Sequence, residues 1–339
     1  VTFGEVMLRL TAPDFRRFSQ TNEFIATYGG SEANVAVSLA NFGIPTEFAP
    51  AADNAMAQAC IASLRANGLG TEGIVFGGKR MGLYFLESGA SFRNSNVVYD
   101  REGSSFATLR PGMIDGKRYL PMQTGFMVGH SGFTVTRGCR RLSGSSTNGR
   151  PHGLTISCDL NVRKKLWNYG RSVADVMLPL VQYSDVIFGA EPEYKEVFDI
   201  APVGFQAVDT AYPLDLKDSD IRTEDIAYSA ALPEIFLEFA QYDYFQPQSA
   251  CSVLYSDQTL KYTGIYDITH EVDRVGTGDA FVGGMIYGLL TYPDNDQKAL
   301  EFALAASALK NTVYGDFNQV TVEEVESLMK GNTSGRVTR

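Results

Sequence analysis

Cysteine and histidine are scarce in this sequence and widely separated. Its 339 residues include four cysteines and three histidines, and no two cysteines form a C-x-x-C pair. This pattern argues against a zinc site built from cysteine and histidine. Isolated thiols are typical of proteins in a reducing cytosol, so we expect free cysteines and a cytoplasmic location.

Long apolar runs and long basic runs are also missing. No apolar stretch approaches the roughly 18 residues that a membrane-spanning helix needs, and the opening V-T-F-G-E-V-M-L is typical of a strand, not of a signal peptide. Lys and Arg total 29 against 39 Asp and Glu, so the formal net charge is −10. A nucleic-acid-binding protein normally presents a basic surface. We therefore expect neither nucleic acid nor membrane as a partner, although a few arginines can still hold a small anion.

The most informative stretch is V-D-R-V-G-T-G-D-A-F-V-G-G-M-I-Y-G-L-L, residues 272–290. Apolar residues recur at helical spacing from Phe281 onward, which places Gly276, Thr277 and Gly278 at the start of a helix. Free amides and the positive end of the helix dipole make such a start an anion site. The stretch is not a Walker A loop, because no Lys-Ser/Thr pair follows the glycines.

Asp279 follows these glycines and has two interpretations. Acids are common in the first turn of a helix, and position alone favours that ordinary role. The alternative is a carboxylate base held beside a bound phosphate.

A second glycine pair, Gly29-Gly30, opens another helix that ends at Gly43. The pair is either a tight strand-to-helix turn or a hinge whose backbone also contacts ligand hydroxyls.

Residues 73–110 interrupt the alternation of strands and helices with short strands and glycine-rich turns. This favours a small β-rich flap on a larger α/β body. Tyr84, Tyr99 and Arg101 in the flap either line a cleft or lie exposed on a strand face. Further on, D-L-N-V-R at residues 159–163 follows a core strand, where open α/β sheets bind ligands. A solvated loop would explain the same pattern.

The rest of the chain predicts further alternation. Predicted strands are Val1–Leu8, Thr46–Ala51, Gly73–Phe76, Gly82–Glu87, Ser95–Asp100, Gly125–Gly129, Leu154–Cys158, Asp185–Phe188 and a hairpin of Ser252–Tyr255 with Thr259–Tyr262. Predicted helices are Ala55–Asn67, Ser172–Tyr183, Glu191–Phe198, Leu232–Ala240, Lys298–Val313 and Val322–Met329. Ser143–Gly153 and Ile200–Tyr228 are predicted as loops.

The glycine motifs, the alternation and the flap together resemble the ribokinase-like (PfkB) carbohydrate kinases over nearly the whole chain. Gly29-Gly30 with Asn34 is similar to the N-terminal signature of that family. D-R-V-G-T-G-D at residues 273–279 is similar to its C-terminal signature, D-T-x-G-A-G-D.

The resemblance implies a three-layer α/β/α fold with a mostly parallel central sheet. A single kinase domain would cover residues 1–330, with a tail at 331–339. Residues 10–28 and 73–110 would form a small β-rich lid that closes over the sugar. The exposed face of the lid would allow a homo-oligomer.

Within the family, four stretches resemble the 2-keto-3-deoxygluconate kinases: G-E-V-M-L-R-L at 4–10, the helix start at 29–36, G-L-Y at 82–84 with Y-D-R at 99–101, and D-L-N-V-R at 159–163. The resemblance implies an acid sugar whose carboxylate binds the planar guanidinium groups of Arg101 and Arg163. Tyr84 and Tyr99 would hydrogen-bond its carbonyl or hydroxyl end. The Gly29-Gly30 pair and Asn34 would hold its chain hydroxyls.

The implied reaction transfers a phosphoryl group from ATP, with Mg²⁺, to the terminal hydroxyl and gives 2-keto-3-deoxy-6-phosphogluconate. Asp279 would be the general base. The amides of Gly276, Thr277 and Gly278 would bind phosphate and stabilise charge on the transferring group. Glu193 would serve the metal indirectly, through water.

Two departures from the family pattern keep alternatives open. Ala190 stands where the N-x-x-E run has its Asn, and S-A-C-S-V at 249–253 replaces a K-L-G-x-x-G run near the nucleotide. The chain could be another sugar kinase of the family, such as a fructokinase or ribokinase, or a sugar-binding regulator that has lost catalysis. A dinucleotide-dependent oxidoreductase is disfavoured, because no G-x-G-x-x-G follows a first strand. A gluconate-derived and a galactonate-derived acid are equally compatible with these residues.

Overall fold

Strands and helices are interspersed up to residue 198, whereas the described elements from 235 to 267 are all strands and those from 277 to 329 are all helices. The structure is a computed structural model and describes residues 1–49, 54–72, 78–110, 157–163, 167, 170–181, 184, 186–199, 235–240, 249–256, 259–263, 266–268 and 270–332. The segments predicted at Gly73–Phe76, Gly125–Gly129, Ser143–Gly153 and Ile200–Tyr228 lie outside these residues.

The described helices are α1 Ser31–Asn41, α2 Ala55–Ala66, α3 Val173–Val181, α4 Glu191–Phe198, α5 Thr277–Thr291, α6 Asp296–Lys310 and α7 Val322–Met329. The described strands are β1 Thr2–Phe3, β2 Met7–Thr11, β3 Ile25–Gly29, β4 Phe48–Ala49, β5 Gly82–Glu87, β6 Asn96–Asp100, β7 Ser157–Asp159, β8 Val186–Gly189, β9 Ile235–Ala240, β10 Ser249–Ser256, β11 Thr259–Tyr262 and β12 Tyr266–Asp267. Four elements have the predicted boundaries: Gly82–Glu87, Glu191–Phe198, Thr259–Tyr262 and Val322–Met329.

A six-stranded sheet has the order β11-β10-β9-β8-β7, with β12 paired to β10. β7, β8 and β9 run parallel, whereas β10 is antiparallel to β9, β11 and β12. The sheet is therefore mixed in its described part, where a mostly parallel sheet was predicted. The hairpin of β10 and β11, which was predicted, supplies the antiparallel edge. The parallel strands β7 and β8 end at the same edge, which brings the segments after Asp159 and Gly189 together.

A second sheet of four strands, in the order β3-β2-β5-β6, contains strands in and next to the predicted lid segments. We call it the lid sheet. Its register places Thr27, Arg9, Tyr84 and Tyr99 directly opposite one another on successive strands. Opposite residues share a face of a sheet, so these four side chains form one row. Closure of the lid sheet over a substrate stays a prediction.

Two predicted elements are wrong. Val1–Leu8 is not one strand: β1 pairs with β4, and β2 belongs to the lid sheet. The chain leaves the two-stranded sheet of β1 and β4 at Gly4, which passes so close to Glu32 that a Cβ at Gly4 would lie 2.0 Å from a carboxylate oxygen.

Leu232–Ala240 was predicted as a helix, but Ile235–Ala240 forms β9, between β8 and β10. A short apolar run such as I-F-L-E-F-A has no period that separates a buried strand from a helix. Hydrogen bonding to β8 on one side and to β10 on the other favours the strand.

Helices α1, α5 and α6 pack through small residues. A Cβ at Gly283 would lie 2.6 Å from Ser38 Cβ on α1, and a Cβ at Gly288 would lie 2.6 Å from Ala299 Cα on α6. The buried apolar residues around this contact include Val35, Phe281 and Leu300. Close packing of α1 against α5 brings the N-terminal ends of both helices to the same place.

None of the helices in the described ranges combines the length and the apolar character needed to cross a bilayer. Cys60 and Cys158 are both buried, and Cys60 is a free thiol. Burial raises the pKa of the Cys60 thiol to about 12, so it is protonated and unreactive at neutral pH.

The contact between α5 and α6 predicts a sensitive position. Replacing Gly288 by Val should lower the free energy of unfolding by about 1–3 kcal/mol, because the added carbons overlap the backbone of Ala299. Chemical denaturation measures the change. Thr291→Val, at the exposed end of the same helix, is the matched control and should leave the midpoint close to that of the wild type. Equal midpoints for both variants would show that the helices do not pack this closely.

Candidate active site

A cavity of about 400 Å³ lies between the lid sheet and the N-terminal ends of α1 and α5. Its lining contains every predicted site residue except Gly29: Gly30, Asn34, Tyr84, Tyr99, Arg101, Arg163, Glu193, Gly276, Thr277, Gly278 and Asp279. It also contains residues that the sequence analysis did not single out: Glu5, Ser31, Glu32, Asp159, Asn161 and Asp316. Residues far apart in the chain thus meet in one cleft.

Asp279 is held by two side chains from the start of α1. Ser31 Oγ donates a short hydrogen bond to one carboxylate oxygen, and Asn34 Nδ2 donates to the other at 2.6 Å. Asn34 Oδ1 in turn accepts from the Gly30 amide at 3.2 Å. Asn34, predicted to hold a substrate hydroxyl, therefore orients the carboxylate of Asp279 here.

The surroundings of Asp279 have opposing effects on its ionisation. Burial raises the pKa of Asp279 above its ordinary value, against the hydrogen bonds from Ser31 and Asn34 and the charge of Arg163, which favour the ionised form. The pKa of Asp159 is also raised, mainly by burial and then by the nearby charges of Glu193 and Asp279. Raised carboxylate pKa values in a cleft are typical of acid–base sites.

The start of α5 presents an open anion site. Gly276, its N-cap, has a φ of 89°, and a Cβ there would lie 2.2 Å from the carbonyl oxygen of Asp316, so only glycine is accommodated. No side chain in the described ranges caps this helix, and a Cβ at Gly278 would meet nothing within 4 Å. One predicted donor is partly used: the Thr277 amide donates to Arg274 O at 3.2 Å within the turn.

The Gly29-Gly30 pair is required for close approach of backbone segments. A Cβ at Gly30 would lie 2.0 Å from the carbonyl oxygen of Glu5, and a Cβ at Gly29 would lie 2.0 Å from a carboxylate oxygen of Asp316. The tight-turn interpretation is therefore sufficient for Gly29, which does not line the cavity. Gly30 does line it.

The two arginines predicted to bind a substrate carboxylate differ in whether they already pair with a carboxylate of the protein. Arg101 Nε donates to the buried carboxylate of Glu5 at 2.6 Å, and Ser104 also donates to Glu5. Arg163 makes no hydrogen bond or ion pair with the described residues; it is an exposed residue that also lines the cavity. An anionic ligand would therefore find Arg163 uncommitted and Arg101 already paired.

The charge of Arg163 is strongly favoured. Burial by the surrounding protein acts to lower the pKa of Arg163, but the charges of Tyr99, Asp279, Asp159 and Glu193 outweigh it and raise the pKa. The guanidinium stays charged at every working pH.

A buried ion-pair cluster lies behind the cavity. Arg9 Nη1 donates to Asp316 at 2.7 Å and Arg9 Nη2 to Asp273 at 2.6 Å. Tyr84 Oη donates to the other oxygen of Asp316 at 2.5 Å. The Tyr84 hydroxyl proton is thereby committed, so toward a ligand this oxygen is available as an acceptor and not as a donor.

Glu193 closes the other end of the cavity. Its carboxylate accepts from the Ala190 amide at 2.9 Å and from the Val162 amide. Ala190 occupies the N-cap of α4 without a side-chain oxygen. The described part of the chain holds no group of three His, Cys, Asp or Glu side chains placed to bind a metal directly.

Comparison with known proteins establishes the family of this chain. The sequence matches the pfkB family of carbohydrate kinases over residues 1–204 and 246–321. The chain belongs to this family. It is a carbohydrate kinase, and its substrates are a sugar and ATP.

Three relatives of this kinase are informative. The 2-dehydro-3-deoxygluconokinase of Thermotoga maritima is 35% identical, with a TM-score of 0.84 over 97% of this chain and 98% of that one. The 2-dehydro-3-deoxygalactonokinase of Haloferax volcanii is 29% identical over 99% of this chain and 98% of its own length. A ribokinase II candidate from E. coli, in complex with ATP and Mg²⁺, is 18% identical, with a TM-score of 0.76 over 97% and 98% of the two chains. The fold is the ribokinase-like α/β fold.

Sequence patterns could have revealed some of the missed residues of this kinase but not others. Ser31 directly follows the Gly29-Gly30 pair, and Asp159 opens the D-L-N-V-R run, so their place in motifs was a usable signal. Asp316 carried no such signal, because the turn Y-G-D-F-N resembles an ordinary surface turn in the sequence. Only the fold brings it under Tyr84.

The hydrogen bond from Ser31 predicts a shift in the pH dependence of the kinase. As the predicted general base, Asp279 would have to be ionised to accept a proton, so activity is expected to fall as the pH drops through its pKa. Ser31→Ala removes a bond that favours the ionised form, so the pKa rises and the acid limb of kcat/KM moves to higher pH. Steady-state rates against pH measure the shift.

Ser38→Ala is the matched control, since Ser38 is a buried serine of the same helix that donates to a backbone carbonyl instead. Its acid limb should coincide with that of the wild type. An unshifted limb in Ser31→Ala would mean that Asp279 does not control it.

Proposed function

We propose that the protein transfers the terminal phosphoryl group of ATP to the terminal hydroxyl of 2-keto-3-deoxygluconate, or of its galactonate-derived stereoisomer. The gluconate-derived product is 2-keto-3-deoxy-6-phosphogluconate. The observation that carries this proposal is the uncommitted guanidinium of Arg163, in the same cavity as Asp279 and the open start of α5.

The choice of an acid sugar follows from charge. A neutral sugar has no need of an uncommitted arginine in its pocket, whereas a carboxylate matches the planar guanidinium with two parallel hydrogen bonds. Arg163 would be the main anchor, and Arg101 would contribute with the donors that Glu5 leaves available. The two acid-sugar kinases named among the relatives support the same substrate class.

Asp279 would act as the general base. Each of its oxygens accepts one hydrogen bond, from Ser31 or from Asn34, and keeps a second lone pair for the proton of the terminal hydroxyl. A base held in this way typically contributes about 10²–10⁴-fold to the rate. The hydroxyl oxygen loses its proton to Asp279 as it attacks, so the carboxyl ends the step protonated.

The open start of α5 is suited to the phosphates of ATP. Gly278 faces free space, and amides at a helix start stabilise negative charge without reorganising. ATP with Mg²⁺ supplies the phosphoryl group when bound. Glu193 would reach the metal only through water, since both of its oxygens accept backbone amides. Gly276 shapes the turn, and Thr277 contributes less than predicted.

The sugar chain would lie against the row formed by Tyr84 and Tyr99, whose rings are 6.0 Å apart. Tyr84 would accept a hydrogen bond from a hydroxyl. Gly30 would contact a chain hydroxyl through its backbone. We propose these roles, and the closing of the lid sheet over the sugar, in the same way as the role of Asp279.

A homo-oligomer through the lid sheet stays a prediction. Exposed large apolar side chains on this sheet and its turns support it: Phe15, Phe24, Ile25, Phe92 and Val98. Phe92 is 98% exposed, which is unusual for phenylalanine in a monomer.

The proposal predicts a narrow acceptor preference and a strict need for Asp279. ADP release is measured with Mg·ATP and 2-keto-3-deoxygluconate, 2-keto-3-deoxygalactonate, fructose, ribose or gluconate. We expect turnover only with the keto-deoxy acids and a loss of about 10²–10⁴-fold in kcat for Asp279→Asn, which keeps the shape but cannot accept the proton.

The outcomes separate the alternatives. Turnover on fructose or ribose would favour another sugar kinase of the family. Sugar binding by calorimetry without turnover would favour a regulator that has lost catalysis, for which Ala190 is the specific reason. Normal turnover by Asp279→Asn would show that Asp279 is not the general base.

A substitution at Arg163 tests the preference for an acid sugar more directly. Arg163→Ala should raise KM for the keto-deoxy acid by about tenfold or more, because a charge-assisted pair is lost, and should leave KM for ATP close to that of the wild type. Arg171→Ala, a nearby exposed arginine outside the cavity, is the matched control. An unchanged KM for the keto-deoxy acid in Arg163→Ala would assign the carboxylate to another residue.

A further inference from the structure

The sequence analysis overlooked Lys310, whose side chain is completely buried at the end of α6. Lysine is almost never fully buried unless its ammonium is paired. Here Lys310 Nζ donates to two backbone carbonyl oxygens, Asp273 O at 3.0 Å and Val313 O at 3.1 Å. The ammonium therefore joins two separate loops.

One of these loops leads into the anion site. Asp273 begins the turn that ends at Gly276, and its carboxylate accepts from the Val275 amide at 3.1 Å. The other loop runs from Lys310 to Asp316 and supports this turn. Asn311 O accepts from the amides of residues 272 and 273, and the Gly315 amide donates to the Asp273 carboxylate at 3.0 Å.

The groups around Lys310 have opposing effects on its ionisation. Burial, with a contribution from Arg9, lowers the pKa of Lys310 below its ordinary value, against the carboxylates of Asp273, Asp316 and Asp279, which favour the charged form. Two carbonyl oxygens directed at one nitrogen also favour a cation, because carbonyls accept and cannot donate. The site thus provides two carbonyl acceptors and three nearby carboxylates that favour the ammonium, with the Arg9 guanidinium acting against them.

We propose that Lys310 is a positioning residue whose ammonium ion serves as a built-in cation, holding the turn at Asp273 against the loop at Val313 and thereby fixing the amides of the anion site. This role rests on the proposed phosphoryl transfer. The ammonium does not touch a substrate. It acts through the backbone, and a displacement of about 1 Å at a reacting centre can cost about 10²-fold in rate.

The test uses the cavity that Lys310→Ala would leave. The carbonyl oxygens of Asp273 and Val313 stay in place around this cavity. A free ammonium ion carries the same positive charge as the lost side chain and also offers N–H donors. We expect kcat of Lys310→Ala to fall by about 10²-fold and to recover severalfold in ammonium chloride, but not in sodium chloride or tetramethylammonium chloride at equal ionic strength. Wild-type kcat should be equal in all three salts, because its own ammonium fills the site.

Lys310→Met keeps the volume without the charge. It should be folded by thermal unfolding, bind ATP and sugar with near wild-type Kd, show reduced kcat, and not respond to ammonium, because the methyl group occupies the site. Lys330→Ala, an exposed lysine, is the control and should match the wild type in every salt.

Four results would overturn the role of Lys310: wild-type turnover that rises specifically with ammonium, equal recovery of Lys310→Ala in all salts, no recovery in any salt, or wild-type kcat in folded Lys310→Met. If the Ala variant does not fold, the Met variant decides by its kcat alone. Wild-type turnover across the sugar panel tests the proposed function. The ratio of variant to wild-type turnover on the best acceptor tests Lys310, so the two proposals fail separately.

Discussion

The buried guanidinium of Arg9 is the interaction on which the geometry of the cleft depends. It lies on β2 of the lid sheet and binds Asp273, which begins the turn of the anion site, and Asp316, which supports Tyr84. Replacing such a cluster by apolar residues is often neutral for stability, but removing a single partner typically costs about 3–5 kcal/mol. The cluster therefore fixes the positions of these parts more than it adds stability. Because it links them, the lid sheet, the anion site and the row that contains Tyr84 and Tyr99 cannot shift independently of one another.

A second constraint is the packing of α1 against α5. Because Gly283 lets the two helices approach closely, their N-terminal ends meet, and the side chains of Ser31 and Asn34 reach the carboxylate of Asp279. The N-terminal motif of the family thus orients the carboxylate in the C-terminal motif that we propose as the base. A helix start also favours the ionised carboxylate, which limits how far burial can raise its pKa.

The cleft contains more carboxylates than arginines, yet it suits an anionic substrate. Glu5 and Asp316 are neutralised by Arg101 and Arg9. Glu32 is fully enclosed, and burial raises its pKa well above the ordinary value. The negative charge that remains lies near Asp279 and Asp159, where phosphates accompanied by Mg²⁺ would bind. Arg163 is left as the cation available to a sugar carboxylate.

The sequence by itself determined the family, most helices and strands, and nearly all of the candidate site, because these depend on local signals. Glycines before a helix, acids after them and aromatic residues in a flap are legible without a structure. Only the tertiary structure decided that Ile235–Ala240 is a strand, since pairing with β8 and β10 outweighs local preference. It alone showed that Asn34 holds Asp279, that Arg101 is paired while Arg163 is not, and that Arg9, Asp316 and Lys310 support the anion site. These contacts join residues far apart in the chain, and a linear pattern contains no information about which distant charges will be buried together.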